Sequence, residues 1–434
     1  MPIIPDSLYD LAYAYKKTKL WKRLWDSQLF AVQMEDGQVG YCSVMGKNGE
    51  HIALGVYIGQ AGLDSYRDLY CGDFQCITDE YGHELPSLQS YEHLMRQNCV
   101  QCAFENKADM RERSVDECKN YAIKHGLKLA GARALADFVR YFPQHFPWYV
   151  RDFSDQKYIA QALEAAIEVS KRLEAPTFQG SGIAYRKLGL IEGEPYDREI
   201  PLLIKKADGY EWSSLALPDE VDLAYPSPTI SDIHVARIRK TKKSDKNWYC
   251  DVVMMPDPVS DENGEDGESI IEPTEAPYFA YMLLVIVGGD GLVLLQPIVP
   301  TLDEKCCTEM VCSLAEAVIK TGKPHKLFTR QCDERTQAIL GAFAQQVGIP
   351  ISECDDDDYT LIDAEMDLFE HFSNAGNASE HEMLSELVEQ LSLLSDTELR
   401  SMPSEFRDML LDAARAGQLE AALEKRLIRL FGRK

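Results

Sequence analysis

Residues 278–297 read YFAYMLLVIVGGDGLVLLQP. Tyr281–Val287 is wholly apolar, and the turn cluster Gly288-Gly-Asp-Gly291 follows it directly, so the stretch reads as a buried strand, a hairpin and a returning strand at Leu292–Pro297. The apolar run is far short of the roughly 20 residues that a membrane-spanning helix needs. Working outward, Ile233–Arg239 and Trp248–Met254 read as strands before it. After it come a helix from Glu304 to Lys320, a short strand at Lys326–Thr329, a helix over Asp333–Val347 closed by Gly348, a strand at Ile349–Ser352 and a helix around Leu361–Phe372. Residues 230–372 therefore carry the order β-β-β-α-β-α-β-α.

Toward the N-terminus, Leu8, Leu11, Ala12 and Tyr15 recur at helical spacing, and Leu20, Trp21, Leu24 and Trp25 continue the pattern. Leu29–Met34, Val39–Met45 and Ile52–Ile58 are strand-like, separated by Glu35-Asp-Gly37 and Gly46-Lys-Asn-Gly49. Asp64–Tyr70 is expected to be helical, Asn98–Phe104 a strand, and Ser114-Val-Asp-Glu117 a capping box opening a helix that stops near Gly126. A Pro/aromatic segment, 141–149, precedes an amphipathic helix over Ser154–Leu173. The expected organisation is an N-terminal helical segment (1–28), a first α+β domain (29–175), a connector with a strand at Ile200–Lys205 (176–228), a second α/β domain (229–372) and a helical tail (379–434). The fold class is α+β to α/β, with two mixed-sheet domains.

The chain has 434 residues, with 45 Lys+Arg against 71 Asp+Glu, a net charge of −26. This acid surplus excludes a general nucleic-acid coat protein and disfavours docking on anionic membranes. It is uneven: the expected solvent loop Asp257–Glu275 holds eight acids and Glu353–Asp358 five. Cations gather at 16–23, 237–246 and 425–434. No basic-then-apolar leader opens the chain, so the protein is expected to be cytoplasmic. Its 12 cysteines are expected to be free thiols rather than a disulfide framework.

Each candidate for chemistry has a plain structural reading beside it. Cys71, Cys76, Cys99 and Cys102 give a C-x4-C…C-x2-C set that four thiolates could turn into a zinc site. Strand alternation, however, points Cys99 and Cys102 to opposite faces. Gly46–Glu50 lacks phosphate-loop spacing, and Gly180-Ser-Gly182 lacks the nucleophile elbow. His145 reads as a hydrogen-bonding partner within its aromatic turn, and Asp355–Asp358 as a solvated turn lacking the pattern of a calcium loop. Lys16, Lys17, Lys19, Lys22 and Arg23 read as a helix face whose stems cover apolar surface. No catalytic, cofactor-binding or metal residue is assigned, and no cofactor.

The order of elements over 230–372, together with Gly322–Arg330 leading into the fourth strand, resembles the ribonuclease H-like fold. Nucleases of that fold hold two metals on carboxylates, one inside the first long strand and one ending the fourth. Here Leu284-Val-Ile-Val287 has no acid and the fourth strand ends at Arg330. Asp290 and Asp333 fall about three residues late, and Asp333 is more simply an N-cap. Such a domain is expected to be catalytically dead. Further signatures are Phe30-Ala-Val-Gln-Met34 with Asp36-Gly37, Gly40–Gly46, Gly49-Glu-His51 running into Tyr57-Ile-Gly59, Asn98–Phe104, and Phe146-Pro-Trp-Tyr149. Together they resemble bacterial proteins built from two adjacent domains of unknown function, spanning about 5–175 and 225–370. That resemblance implies architecture and a bacterial cytosolic setting, and carries over no catalytic residue.

The expected function is a non-catalytic interaction or regulatory module with a protein partner, docking on the C-terminal helices or on segment 141–149. The alternatives are an inactive ribonuclease H-like nucleic-acid binder using Arg237, Arg239, Lys240, Lys242, Lys243 and Lys246, and an unrecognised hydrolase. No membrane contact is expected.

Overall fold

A computed structural model describes residues 4–49, 51–71, 92, 94–174, 199–221, 223–259, 276–288, 292–294, 297–331, 333–355, 358–368 and 426. The first sheet starts as a meander of β1 (Phe30–Gln33), β2 (Val39–Met45) and β3 (Ile52–Ile58). Its first turn closes at Gly37, whose φ of +90° few side-chain-bearing residues adopt. β4 (Cys99–Glu105), β5 (Leu135–Tyr141) and β6 (Trp148–Tyr149) extend it on one side. On the other, β7 (Glu199–Lys206) runs parallel to β1 and β8 (Gly209–Ala216) pairs antiparallel with β7. The eight strands stand in the order β6-β5-β4-β3-β2-β1-β7-β8.

Helices α1 (Asp6–Thr18), α3 (Glu112–Lys124) and α4 (Phe153–Glu174) cover one face of this sheet. Tyr15, Cys118, Ile159 and Leu163 pack there on Val56, Cys102 and Phe104. Helix α2 (Gly59–Cys71) covers the other, with Leu63 and Tyr66 against Ala31, Tyr57 and Cys99. The capping box expected at Ser114 does not open α3: the helix begins at Glu112, and Ser114 is buried inside its first turn.

The second sheet contains β9 (Trp248–Met254), β10 (Tyr281–Val287), β11 (Leu292–Leu294), β12 (Ile298–Val299), β13 (Leu327–Thr329) and β14 (Ile351–Glu353). Its order is β11-β10-β9-β13-β14, with β12 also on β10. β10 is antiparallel to both β9 and β11, whereas β13 is parallel to β9 and β14 to β13. α5 (Asp232–Lys240), α6 (Glu304–Thr321) and α7 (Glu334–Val347) bury Ile238, Leu314 and Phe343 against Cys250, Val252, Leu283 and Val285.

The expected strand over Ile233–Arg239 is helix α5 instead. Ser231 caps it by accepting from the His234 backbone N–H, and Val235 and Ile238, three apart, are its buried pair. As a result the first long strand is β9, and β10 is the second. Residues 260–275 of the expected loop Asp257–Glu275, the stretch 180–182, Cys76, Asp290 and the tail beyond 368, apart from residue 426, lie outside the described residues. No described helix is long and apolar enough to cross a membrane.

Candidate functional site

β9 alternates, so Cys250, Val252 and Met254 enter the core while Tyr249, Asp251 and Val253 face the other way. Asp251 is 1% exposed. Burial alone would raise its pKa, but it is lowered overall, first by the charge of Arg330. The Arg330 Nε donates to Asp251 Oδ2 at 2.9 Å, and Thr336 Oγ1 donates to Oδ1 at 3.3 Å. The same Thr336 oxygen accepts the Val252 backbone N–H at 2.9 Å, satisfying a donor that the short β13 does not reach.

Asp333 caps α7, its Oδ1 accepting the Thr336 N–H at 3.1 Å. This is the N-cap role expected from the sequence. Its Oδ2 is buried without a donor. Burial first, and the nearby Asp251 charge second, push the Asp333 carboxyl up to about 7. Below about pH 7, therefore, Asp251 holds the charge and Asp333 the proton.

Arg335, the second residue of α7, extends the cluster. It forms an ion pair with Glu92, which Arg96 also holds at 3.0 Å and Tyr281 Oη reaches at 3.5 Å. The Arg335 guanidinium lies over the Tyr281 ring, 5.6 Å from its centroid. Burial opposes a charged Glu92, yet Arg335 and Arg96 hold its carboxyl below the usual range.

Acids do therefore stand inside the first long strand and just beyond the fourth, as Asp251 and Asp333. The expectation that the first long strand lacks an acid rested on Leu284–Val287, which belongs to β10, and is corrected here. The signal was present in the sequence: Asp251 is the one acid in Trp248–Met254. Its partners were not readable, because Arg330 lies 79 residues on and Arg335 lies 243 residues from Glu92. The arrangement leaves little room for chemistry. Arg330 and Arg335 are each 6% exposed and Asp333 is 9% exposed, so neither water nor substrate reaches the pair freely. Among the described residues, no group of three or more His, Cys, Asp or Glu is placed to hold a metal ion.

Cys99, Cys102, Lys16, His145 and Asp358 have structural surroundings that account for them. Cys99 and Cys102 sit in separate cores on opposite faces of β4, as alternation predicts. Burial pushes the Cys99 thiol up to about 12 and the Cys102 thiol higher still, which keeps both protonated. The Lys16 ammonium donates to the Arg133 carbonyl and lies over Phe104. The His145 ring bonds the Pro143 carbonyl at 2.8 Å. Segment 141–149 reaches the second sheet through Gln144, whose side chain donates to the Phe279 carbonyl at 2.7 Å, and through the Phe146 N–H on the Pro277 carbonyl at 2.7 Å. Asp358 accepts from Thr360 N at 3.1 Å and from its hydroxyl at 2.6 Å, capping the helix at 360–368.

Family models match strands β1 to β6 of the first sheet, without β7 and β8, and the whole of the second sheet. Residues 6–181 match the family described as Domain of unknown function (DUF7309), and residues 234–366 match Domain of unknown function (DUF6930). The two matches fit a protein with two domains of unknown function. No curated protein and no solved structure matches it. The DUF7309 region holds Glu92 and Arg96, and the DUF6930 region holds Asp251, Arg330, Asp333 and Arg335. The buried charges therefore join one domain to the other.

Proposed function

We propose that this chain is a non-catalytic interaction module of the bacterial cytosol, and that its DUF6930 region is a ribonuclease H-like domain whose carboxylate site is closed by its own side chains. The strand order β11-β10-β9-β13-β14, with β13 and β14 parallel to β9, supports the second part. One observation carries the first. The Arg330 guanidinium sits on Asp251 at 2.9 Å with both groups buried. A fixed cation already neutralises the carboxylate that a divalent metal would need, and removing it would strand a buried charge. The hydrolase reading fares worse for the same reason, since an acid–base pair must be reachable by substrate.

The test is a cleavage assay on labelled single-stranded and duplex DNA and RNA, with the full chain and either Mg²⁺ or Mn²⁺. No metal-dependent cleavage is expected. Cleavage that requires the metal and disappears in Asp251→Asn would overturn the reading.

A further inference from the structure

We propose that the edge built by residues 237–246 and 320–326 is a docking surface for the phosphate backbone of a nucleic acid. The proposal goes beyond the non-catalytic reading above: it names a partner and is argued from the edge itself. In a chain of net charge −26, these two stretches hold nine cations and one acid, Asp245. Six of the cations are Arg237, Arg239, Lys240, Lys242, Lys243 and Lys246; the others are Lys320, Lys323 and Lys326.

Backbone hydrogen bonds lay the two stretches side by side. The Lys323 N–H donates to the Lys242 carbonyl at 2.9 Å, Ser244 N–H to the Lys323 carbonyl at 2.7 Å, and His325 N–H to the Lys246 carbonyl at 2.8 Å. The crowding has an electrostatic trace. Lys323 is pushed below its ordinary pKa, first by burial and then by the charges of Lys243 and Arg239.

A purely structural account covers part of this charge. α5, α6 and α7 all end at this edge, and each helix C-terminus attracts about half a positive charge. Lys323 does so directly, donating to the Val347 carbonyl at 2.7 Å, and Arg237 is taken by Glu316 at 2.6 Å. Three helix ends need about 1.5 charges in all, and the Lys326 ammonium lies over the Phe328 ring at 4.4 Å, which accounts for part of the nine cations and not for the exposed ones. Lys240, Lys242, Lys243 and Lys320 are exposed.

The surface chemistry selects a phosphate backbone over a protein. Ile238 is the one large apolar side chain in the two stretches, and it is fully buried. Protein interfaces centre on desolvated aromatic or apolar anchors and are depleted in Lys, which describes the opposite surface. Lysines act as point charges, so recognition here is of backbone charge and not of sequence. The acids elsewhere on the chain are screened beyond about 8–10 Å at physiological salt. Lys246 and Lys326 precede the first residues of β9 and β13, whereas Asp333 follows the last residue of β13. The edge is thus at the strand ends remote from the Asp333 cap.

The test is fluorescence polarisation of a short labelled DNA duplex with the full chain, at about 50 mM and about 200 mM salt. Five phosphate contacts, from the exposed Arg239, Lys240, Lys242, Lys243 and Lys320, give a salt slope near −4.5, so affinity is expected to fall about 500-fold between the two conditions. Lys242→Gln/Lys243→Gln/Lys320→Gln, all at exposed positions, is expected to shed about 2.7 from that slope and most of the affinity at low salt. Lys107→Gln/Lys119→Gln, on the first domain, is expected to bind as wild type does. No binding at the lower salt would overturn the proposal, as would equal binding by the edge variant, or binding to anionic vesicles without binding to the duplex. Metal-dependent cleavage would sink the non-catalytic reading and leave this surface standing, so the two failures are distinguishable.

Discussion

Asp333 holds a proton at a pH where a free aspartate has lost it, because its carboxyl is raised from 3.8 to about 7 by burial and by Asp251. A raised carboxyl means that the native state binds more protons than the unfolded chain between those two values. Its contribution to stability is therefore full below about 4, falls as pH rises toward 7, and is flat above. Asp333→Asn keeps an oxygen for the Thr336 N–H and offers an amide to Asp251 without titrating. The stability advantage of the variant over wild type is expected to grow from pH 4 to pH 7 and then level off, as followed by thermal melting across that range. An advantage independent of pH would show that Asp333 is ionised throughout. The cap at Asp333 was legible in the sequence, because Asp precedes an apolar-periodic stretch closed by Gly348. Its shifted proton was not, because that depends on Asp251, an acid on a different strand. Asp251 itself stood in plain view, but only the pairing of β9 beside β13 shows what it faces.

At the scale of elements, most strands and helices were legible because their signals are local. Turn residues separate β1, β2 and β3; apolar alternation defines β4; the long amphipathic pattern gives α4. α5 went the other way. Ile233 and Val235 offer a two-residue period, while Val235 and Ile238 offer a helical one, and the Ser231 cap decides between them. Ser231→Ala is expected to destabilise the chain by about 1 kcal/mol, measured by urea denaturation. A change near zero would mean that packing of Val235 and Ile238 alone holds the helix. Order along the chain also concealed partnership: β7 closes on β1, far from it in sequence, and nothing near Ile200–Lys205 says so.

Across the whole molecule, the two matched regions share one set of buried charges. Glu92 sits between Arg335 and Arg96 at 3% exposure. Glu92→Gln leaves two guanidiniums facing a neutral amide in a desolvated place, and a loss of about 3–5 kcal/mol is expected in chemical denaturation. A single transition shifted as a unit would show that both sheets depend on this contact; a shift confined to one probe would show that they do not. None of this was legible at the outset, since a charge 243 residues from its partner leaves no local pattern.

That shared charge has a consequence for how such a chain can be rearranged. A cut through the stretch around Tyr225–Pro228 looks harmless in sequence, and the family matches fall on either side of it. Yet each fragment would inherit half of an ion pair, with Glu92 on one and Arg335 on the other, and Gln144 would be parted from the Phe279 carbonyl. Swapping either region for a version from another chain carries the same penalty unless its opposite number comes with it. The two regions are therefore expected to be inherited together, as a matched pair rather than as interchangeable parts.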